Sequence, residues 1–196
     1  MDEPFNAVVL AGGTAARLDG VDKASVEHGG RTLLSWALDS VIDAGEVVVV
    51  GDPVPTDRPV TFVREDPRHG GPVAAMLTGR DALLRDRPWL AVLACDMPYL
   101  TSATFRRLRE ASAGRDGAAL VGPDGRRQLV FVVDAVRLDA VRPDREAQHG
   151  AALQPLMAGL DLADVLSVGD EHHDVDTWAD LRDLLPPDGS GDTVDV

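Results

Sequence analysis

The chain has 196 residues, of which 44% are hydrophobic and 27% are charged, and its formal net charge is −14. This length is typical of one domain with its own core, and no apolar run approaches the roughly 18 residues that a membrane helix needs. The excess of negative charge argues against nucleic acid and anionic membranes as partners, since both are bound by clustered Lys and Arg.

The first half of the chain alternates short apolar runs with helical patterns. The run at 6–10 ends in two glycines and predicts a buried parallel strand, whereas the helical spacing of apolar residues from Leu33 onward, stopping at Gly45, predicts a helix. The predicted elements that follow are a strand at 46–51, a possible strand at 60–63, a helix at about 73–85 and a strand at 88–96. This last strand ends abruptly in Asp96.

The second half continues the alternation with short links and no internal repeat. The predicted elements are a helix at 101–112, strands near 118–122 and 128–133, helices near 134–141 and 150–160, a strand near 163–168 and a last helix from Thr177. This order predicts an α/β fold with a mostly parallel sheet covered by helices on both faces. Ligands of such sheets bind at the carboxyl ends of the strands, so the informative residues are expected in the loops that follow them.

The acidic residues concentrate towards the C-terminus. Residues 161–196 contain 11 acidic residues and one basic residue, and the last stretch, PPDGSGDTVDV, has few apolar side chains. We therefore expect one domain over 1–185 and a solvated, mobile acidic tail over 186–196.

Two features indicate the compartment. The first residues, MDEPFNAVVLAGG, place no basic region ahead of the apolar run, so no secretory signal is expected. Cys95 is the single cysteine of the sequence, which excludes an internal disulfide framework and suits a reducing environment. We therefore expect a soluble, cytoplasmic protein.

The loop after the first strand, LAGGTAARLDGVDK, carries features of a phosphate-binding segment. Gly12 and Gly13 lack side chains, so backbone N–H groups can approach a base or phosphate closely, and Arg17 and Lys23 supply positive charge. Lys23 is the single lysine among the 19 Lys and Arg residues of the sequence. The segment is neither GxGxxG nor a Walker loop, because a Walker loop needs glycine where Asp22 precedes Lys23.

Four ordered motifs together resemble the nucleotidyltransferases related to molybdenum cofactor guanylyltransferase. They are LAGGxxxRxxxxDK, REDPRHGGPVAAM, CDMPYLT and DVDTWADL, and they extend over nearly the whole chain. The resemblance implies a three-layer α/β/α fold like that of the nucleotide-diphospho-sugar transferases, which is Rossmann-like. It also implies transfer of GMP from GTP to the terminal phosphate of molybdopterin, with release of pyrophosphate and dependence on Mg²⁺.

The same resemblance implies roles for individual residues. The backbone around Leu10, Ala11, Gly12 and Gly13 would hold the nucleotide, and Arg17 and Lys23 would contact its phosphates. Asp66 and Gly71 would line the nucleoside pocket, and Asp96, with Asp176, would bind Mg²⁺. The catalytic set is thus Arg17, Lys23 and Asp96. The implied partners are GTP, molybdopterin and, transiently, proteins that handle the cofactor.

These roles agree with the chemistry of the reaction. The attacking phosphate oxygen is already ionised at neutral pH, so the barrier lies in bringing anions together and stabilising charge on the leaving pyrophosphate. Lysine, arginine and a metal with hard oxygen ligands meet that need, and Mg²⁺ keeps several waters, so one or two aspartates suffice.

Other interpretations of individual residues remain open at this stage. Asp176 is also suited to capping the final helix, and Asp66 to being a solvated loop acid. Cys95 is expected to be a packing residue rather than a nucleophile, and His172 and His173 to lie in a solvated loop, because adjacent histidines lack the spacing of metal ligands. Arg126 or Arg127 could bind an anionic acceptor or simply lie on the surface.

The sequence departs from the family pattern at Asp19, Ala75, Gln128 and Trp178. The base preference, the acceptor and the oligomeric state are therefore left open. Two alternatives follow: a related transferase that uses CTP or another small phosphorylated acceptor, and a nucleotide-binding module that has lost catalysis.

Overall fold

The computed structural model describes residues 4–12 and 21–183, and within these ranges the centre of the protein is a seven-stranded sheet. Its strands are β1 (Phe5–Leu10), β4 (Val47–Val50), β5 (Thr61–Val63), β6 (Trp89–Ala94), β7 (Gly117–Val121), β8 (Arg127–Asp134) and β9 (Leu162–Leu166). A separate small hairpin consists of β2 (Glu27–His28) and β3 (Arg31–Thr32).

Helices connect most of these strands. They are α1 (Leu33–Ser40), α2 (Pro72–Asp81), α3 (Ser102–Ala111), α4 (Ala135–Val141), α5 (Leu153–Ala158) and α6 (Trp178–Asp183), with short 3-10 helices at Lys23–Ser25 and Arg145–Gln148. In the part of the chain that the structure describes, no helix has the length and apolar character needed to cross a membrane.

The strand order is β5-β4-β1-β6-β8-β7-β9. The pairings of β1 with β4 and β6, of β4 with β5 and of β7 with β9 are parallel, whereas β8 runs antiparallel to both of its neighbours. The predicted mostly parallel sheet is thereby confirmed. As a consequence, β5, β4, β1 and β6 all end at one edge of the sheet, where their following loops meet.

The two faces of the sheet bury separate apolar clusters. Ala7 and Val9 of β1 pack in a cluster with residues of α1 and α3, whereas Val8 of the same strand packs with residues of α2, α4 and α5. Successive side chains of a strand point to opposite faces, so a continuous apolar run such as NAVVL is suited to a sheet covered on both sides. The result is the expected three-layer α/β/α arrangement.

The predicted order of elements is confirmed, with differences at boundaries. The first helix ends at Ser40 and a turn leads to Gly45, whose N–H donates to the carbonyl oxygen of Phe5 at 2.9 Å. The helix predicted over 150–160 is shorter, covering Leu153–Ala158. Sequence patterns did not predict the hairpin of β2 and β3 or the two 3-10 helices. The predicted tail, 186–196, lies outside the described residues.

Candidate active site

The loops after β1 and β6 are held side by side at the carboxyl edge of the sheet. The N–H of Cys95 donates to the carbonyl oxygen of Leu10 at 3.0 Å, and the N–H of Ala11 donates to that of Val50 at 2.9 Å. Gly12 is exposed, and among the described residues the nearest atom to a Cβ added there is the carbonyl oxygen of Val50, at 3.6 Å. Within the described part of the chain, a Cβ at this position would therefore meet no clash.

Lys23 joins two aspartates from distant parts of the chain. Its Nζ donates to Asp96 Oδ2 at 2.8 Å and to Asp176 Oδ1 at 2.6 Å. Lys23 opens the 3-10 helix that follows Asp22, whose side chain accepts a hydrogen bond from the N–H of Ala24 at 3.1 Å. The structure thus brings together three of the residues predicted for the site, and we call them the Lys23 cluster.

The electrostatics of the cluster follow from its partial burial and crowding. Burial alone would lower the pKa of Lys23, but hydrogen bonds to Asp176 and Asp96, together with their charges, raise it above its ordinary value. Burial and the neighbouring charges of Asp176 and Asp96 raise the pKa of the Asp174 carboxyl. Three carboxylates thus lie near a single lysine ammonium.

A small apolar cluster lies among the segments that carry these charges. Val26, which follows the 3-10 helix, Leu33 of α1 and Val175 are buried together, and Tyr99 and Leu181 pack against them. The N–H of Val175 also donates to the carbonyl oxygen of Asp96 at 2.8 Å. Because the buried Val175 lies between Asp174 and Asp176 in the chain, its packing holds the backbone that carries both carboxylates.

Thr177 and Asp180 cap the start of the last helix. Asp180 Oδ2 accepts hydrogen bonds from the N–H groups of Asp176 and Thr177, at 3.0 and 2.7 Å, and the N–H of Asp180 donates to Thr177 Oγ1 at 3.2 Å. This reciprocal arrangement satisfies the first turn of α6. The Asp176 carboxylate itself accepts a hydrogen bond from Lys23.

The residues predicted for the nucleoside pocket lie at the same edge of the sheet, after β5. Gly71 precedes α2 with φ 88°, a conformation that favours glycine. The Asp66 side chain is exposed and forms an ion pair with Arg145, an interaction that the sequence did not indicate. The N–H of Gly150 donates to the carbonyl oxygen of Gly70 at 2.8 Å, which ties this loop to the segment after Arg145.

Other predicted residues have different outcomes. Gly13 and Arg17 lie outside the described residues. Cys95 is buried, and burial strongly raises the pKa of its thiol, so it stays protonated and acts as a packing residue. Asp174 was missed, although the same quoted motif, DVDTWADL, contains it.

An open cavity of about 530 Å³ borders Asp174. Its other lining residues are Pro123, Asp124, Arg126, Arg127, Gln128, His172 and His173. The histidine rings lie 4.2 Å apart between centroids, and their Nδ1 atoms contact Ser167 Oγ at 3.3 Å and Asp170 Oδ1 at 3.4 Å. The pair predicted to lie in a solvated loop thus forms part of a cavity wall.

The Lys23 cluster suits a hard divalent cation. Asp96 and Asp176 offer carboxylate oxygens, both within one hydrogen-bond length of the same nitrogen, and such oxygens are the ligands that Mg²⁺ prefers. Over residues 4–12 and 21–183, no group of three or more His, Cys, Asp or Glu side chains has the geometry of a metal site. Two aspartates with water completing the octahedron are compatible with Mg²⁺, whereas a fully protein-ligated zinc site would need more ligands.

Comparison with protein families gives a match over residues 7–166 to the MobA-like NTP transferase domain. A molybdenum cofactor guanylyltransferase of Rhodopseudomonas palustris strain HaA2 is 36% identical over 144 residues, covering 67% of this chain and 66% of the relative. One of Shewanella loihica is 29% identical over 138 residues, covering 68% of this chain and 69% of the relative.

Solved structures agree on the fold. Molybdopterin-guanine dinucleotide biosynthesis protein A of Archaeoglobus fulgidus has a TM-score of 0.66 at 17% identity, covering 90% of this chain and 95% of that one. The 2-C-methyl-D-erythritol 4-phosphate cytidylyltransferase of Thermus thermophilus also has a TM-score of 0.66, at 19% identity, covering 89% and 94%. The fold is thus shared by proteins named for different bases, and the family match confirms the resemblance inferred from the four motifs.

Proposed function

Because the chain belongs to the family of MobA-like NTP transferase domains and is a nucleotidyltransferase, we propose that it transfers GMP from GTP to molybdopterin. The bond between the α- and β-phosphates of GTP breaks, a new phosphoanhydride forms with the terminal phosphate of the acceptor, and pyrophosphate leaves. The observation that carries this proposal is the convergence of Lys23, Asp96 and Asp176 beside the glycine turn.

Asp96 and Asp176 would hold Mg²⁺. When bound, that ion supplies positive charge to phosphate oxygens and to the departing pyrophosphate. Lys23 then exchanges a carboxylate partner for a phosphate oxygen, which a single-point ammonium on a flexible stem does readily. In the absence of nucleotide the same ammonium offsets repulsion between the two aspartates, so the site is pre-organised for a second cation.

The nucleotide would lie along the backbone around residues 10–13, with Arg17 on its phosphates. Backbone N–H groups at such a turn bind anionic oxygens, and Gly12 leaves them uncovered. Asp66 and Gly71 would line the nucleoside pocket. Arg145, which pairs with Asp66 here, must then share that carboxylate with the nucleoside or release it.

The acceptor would occupy the cavity beside Asp174. Its volume of about 530 Å³ is in the range of small-molecule sites, and Gln128 and the two histidines supply hydrogen-bonding groups for a polar heterocycle. Arg126 supplies positive charge, because its side chain is 83% exposed and its Nε lies 3.6 Å from Asp124 Oδ2. Arg127 is instead engaged by Asp164 and by the carbonyl oxygen of Leu162.

The proposal extends to the whole chain and its setting. Residues 1–185 would form one nucleotidyltransferase domain, and 186–196 an acidic tail, in a cytoplasmic enzyme. The net charge of −14 disfavours nucleic-acid and membrane partners. A protein that delivers or receives the cofactor would contact the open cavity transiently.

A panel of nucleoside triphosphates tests the proposal. The purified enzyme, molybdopterin and Mg²⁺ are incubated with GTP, CTP, ATP or UTP, and pyrophosphate release and the dinucleotide product are measured. We expect both signals with GTP and with acceptor present. Release with CTP alone would refute guanylyl transfer, and equal ligand binding by wild type and Asp96→Ala without turnover in either would indicate a binding module.

A further inference from the structure

A buried carboxylate outside the Lys23 cluster connects the segment that carries Asp176 to α3. Glu171 is 6% exposed, and its side chain accepts hydrogen bonds from four donors. These are Thr104 Oγ1 at 2.5 Å, Arg107 Nη1 at 3.1 Å, Arg107 Nη2 at 2.5 Å and the N–H of Val168 at 2.8 Å. Both carboxylate oxygens are thus fully engaged, and we call this arrangement the Glu171 clamp.

The clamp links the two loops that supply the aspartates. Thr104 lies in the first turn of α3, and its Oγ1 also accepts from the N–H of Thr101 at 3.1 Å, close to where the chain arrives from Asp96. On its other side, Glu171 lies five residues before Asp176. One carboxylate therefore ties the start of α3, downstream of one aspartate, to the segment that leads to the other.

A second hydrogen bond joins the same two loops closer to the Lys23 cluster. The N–H of Val175 donates to the carbonyl oxygen of Asp96, and the Val175 side chain is fully buried. Residues 167–177 thus have a polar anchor at Glu171 and an apolar anchor at Val175. Between these anchors, Asp174 and the histidine pair face the cavity.

We propose that Glu171 is a positioning residue for the nucleotidyl-transfer site. It fixes residues 167–177 against α3 so that Asp176 meets Asp96 at one shared cation. The hydrogen-bond partners of Glu171 in the described part of the chain are Thr104, Arg107 and Val168, outside the Lys23 cluster, so it acts through the geometry of the segment. Replacing a residue that orients metal ligands without itself binding the metal typically changes metal affinity by about 10–100-fold.

The test compares Glu171→Gln with a matched control, Asp81→Asn. Gln keeps the shape of the side chain but removes its charge and puts a donor where Glu171 accepts hydrogen bonds. Both terminal nitrogens of Arg142 donate to the Asp81 carboxylate, at 2.9 and 2.8 Å, so this pair also has two parallel hydrogen bonds. Asp81 is the last residue of α2, at the opposite end of that helix from Gly71. Both variants lose an arginine–carboxylate pair, and only one loses the link to Asp176.

Two measurements read the geometry without relying on turnover. Amide hydrogen exchange at Val175 reports whether its bond to Asp96 persists, and titration with Mn²⁺ followed by electron paramagnetic resonance reports divalent-cation affinity. In Glu171→Gln we expect Val175 exchange about tenfold faster and Mn²⁺ affinity about tenfold weaker, with kcat reduced more than the KM for GTP is raised. Asp81→Asn should match wild type in all three.

The Mn²⁺ titration rests on the proposed function, whereas the hydrogen-exchange measurement at Val175 does not. If the wild type fails to transfer GMP but Glu171→Gln still loosens Val175, the proposed reaction fails and the positioning role stands. Unchanged Val175 exchange and unchanged Mn²⁺ affinity in a folded Glu171→Gln would overturn the proposal. Should that variant not fold, Thr104→Val removes one donor with little change of shape, and the same outcomes decide.

Discussion

Two ion-pair clusters take a carboxylate from the same short segment, Glu171 in one and Asp176 in the other, and they are built differently. In the Glu171 clamp, an arginine fork, a hydroxyl and a backbone N–H engage one buried carboxylate. In the Lys23 cluster, one ammonium is divided between two aspartates while a third carboxylate, Asp174, lies nearby. Among the described residues, the first cluster engages both oxygens of one carboxylate, and the second places three carboxylates around one ammonium.

This difference separates a structural role from a chemical one. A planar guanidinium bound at two points holds its partner in one orientation, which suits a fixed joint. An ammonium makes point contacts that can be exchanged one at a time. Carboxylates held by such exchangeable contacts suit a site where a metal and a triphosphate would bind, as proposed for the Lys23 cluster.

The largest expected effect comes from removing a carboxylate of the Lys23 cluster. Asp96→Asn keeps the size of the side chain but removes the charge that would hold the metal, and we expect turnover to fall about 10³-fold. The matched control is Asp161→Asn, which breaks an exposed pair with Arg115 at 2.6 Å just before β9. Pyrophosphate release measures both, and comparable losses in the two variants would erase the distinction between the clusters.

A smaller but diagnostic effect is expected from Lys23→Arg. The charge is kept, but a guanidinium is wider and cannot place one nitrogen between Asp96 and Asp176 at 2.8 and 2.6 Å. We expect kcat to fall about 100-fold with the fold intact. The converse control, Arg115→Lys, should leave kcat unchanged because that pair is exposed. Full activity of Lys23→Arg would show that the position requires only a positive charge.

The sequence predicted the Lys23 cluster better than it predicted the Glu171 clamp. Asp96 ends a continuous apolar run, and Lys23, Asp96 and Asp176 each lie in a motif that carries the family resemblance. Glu171 lies in GDEHHD, where no pattern distinguishes a buried glutamate from a solvated one. Its burial depends on Thr104 and Arg107, more than 60 residues away, and one sequence does not show that pairing.

The strands, too, were predicted where the sequence has a clear local pattern and missed where it has none. Continuous apolar runs predicted buried strands, because such strands need apolar residues on both faces, and the alternation of strands with helices predicted a mostly parallel sheet. The hairpin of β2 and β3 has only two residues per strand, EH and RT, too few for any alternation to be recognised. Short elements of this kind are fixed by their packing against neighbours rather than by local pattern.

The contribution of the Glu171 clamp to the free energy of unfolding should depend on pH. Burial alone would raise the pKa of Glu171, but hydrogen bonds from Arg107, Thr104 and the N–H of Val168 outweigh it and lower that pKa below its ordinary value of 4.5. Its contribution is therefore fully present above pH 4.5 and is lost as the pH falls through the lowered value. We expect Glu171→Gln to reduce the free energy of unfolding at pH 7 by about 1–3 kcal/mol.

Denaturant titrations at pH 7 and at pH 3 measure this contribution. The difference between wild type and Glu171→Gln should shrink at the lower pH, because protonation of Glu171 weakens the same pair in the wild type. Asp161→Asn should change the free energy of unfolding by less than about 1 kcal/mol at pH 7, as exposed pairs contribute little. A Glu171→Gln difference that stays constant with pH would mean that the clamp's charge does not contribute to stability.

The smallest expected effect concerns an ion pair that belongs to neither cluster. Arg126 and Asp124 border the cavity, lie 3.6 Å apart and are both largely exposed, so their interaction is weaker than either cluster. If Arg126 serves the acceptor, Arg126→Gln should raise the KM for the acceptor two- to fivefold, corresponding to about 0.5–1 kcal/mol, and leave the KM for GTP unchanged. Arg127→Gln is the matched control, because Arg127 is already engaged by Asp164 and the carbonyl oxygen of Leu162. A rise in the KM for GTP instead would place Arg126 on the nucleotide, and the cavity would then belong to the triphosphate rather than to the second substrate.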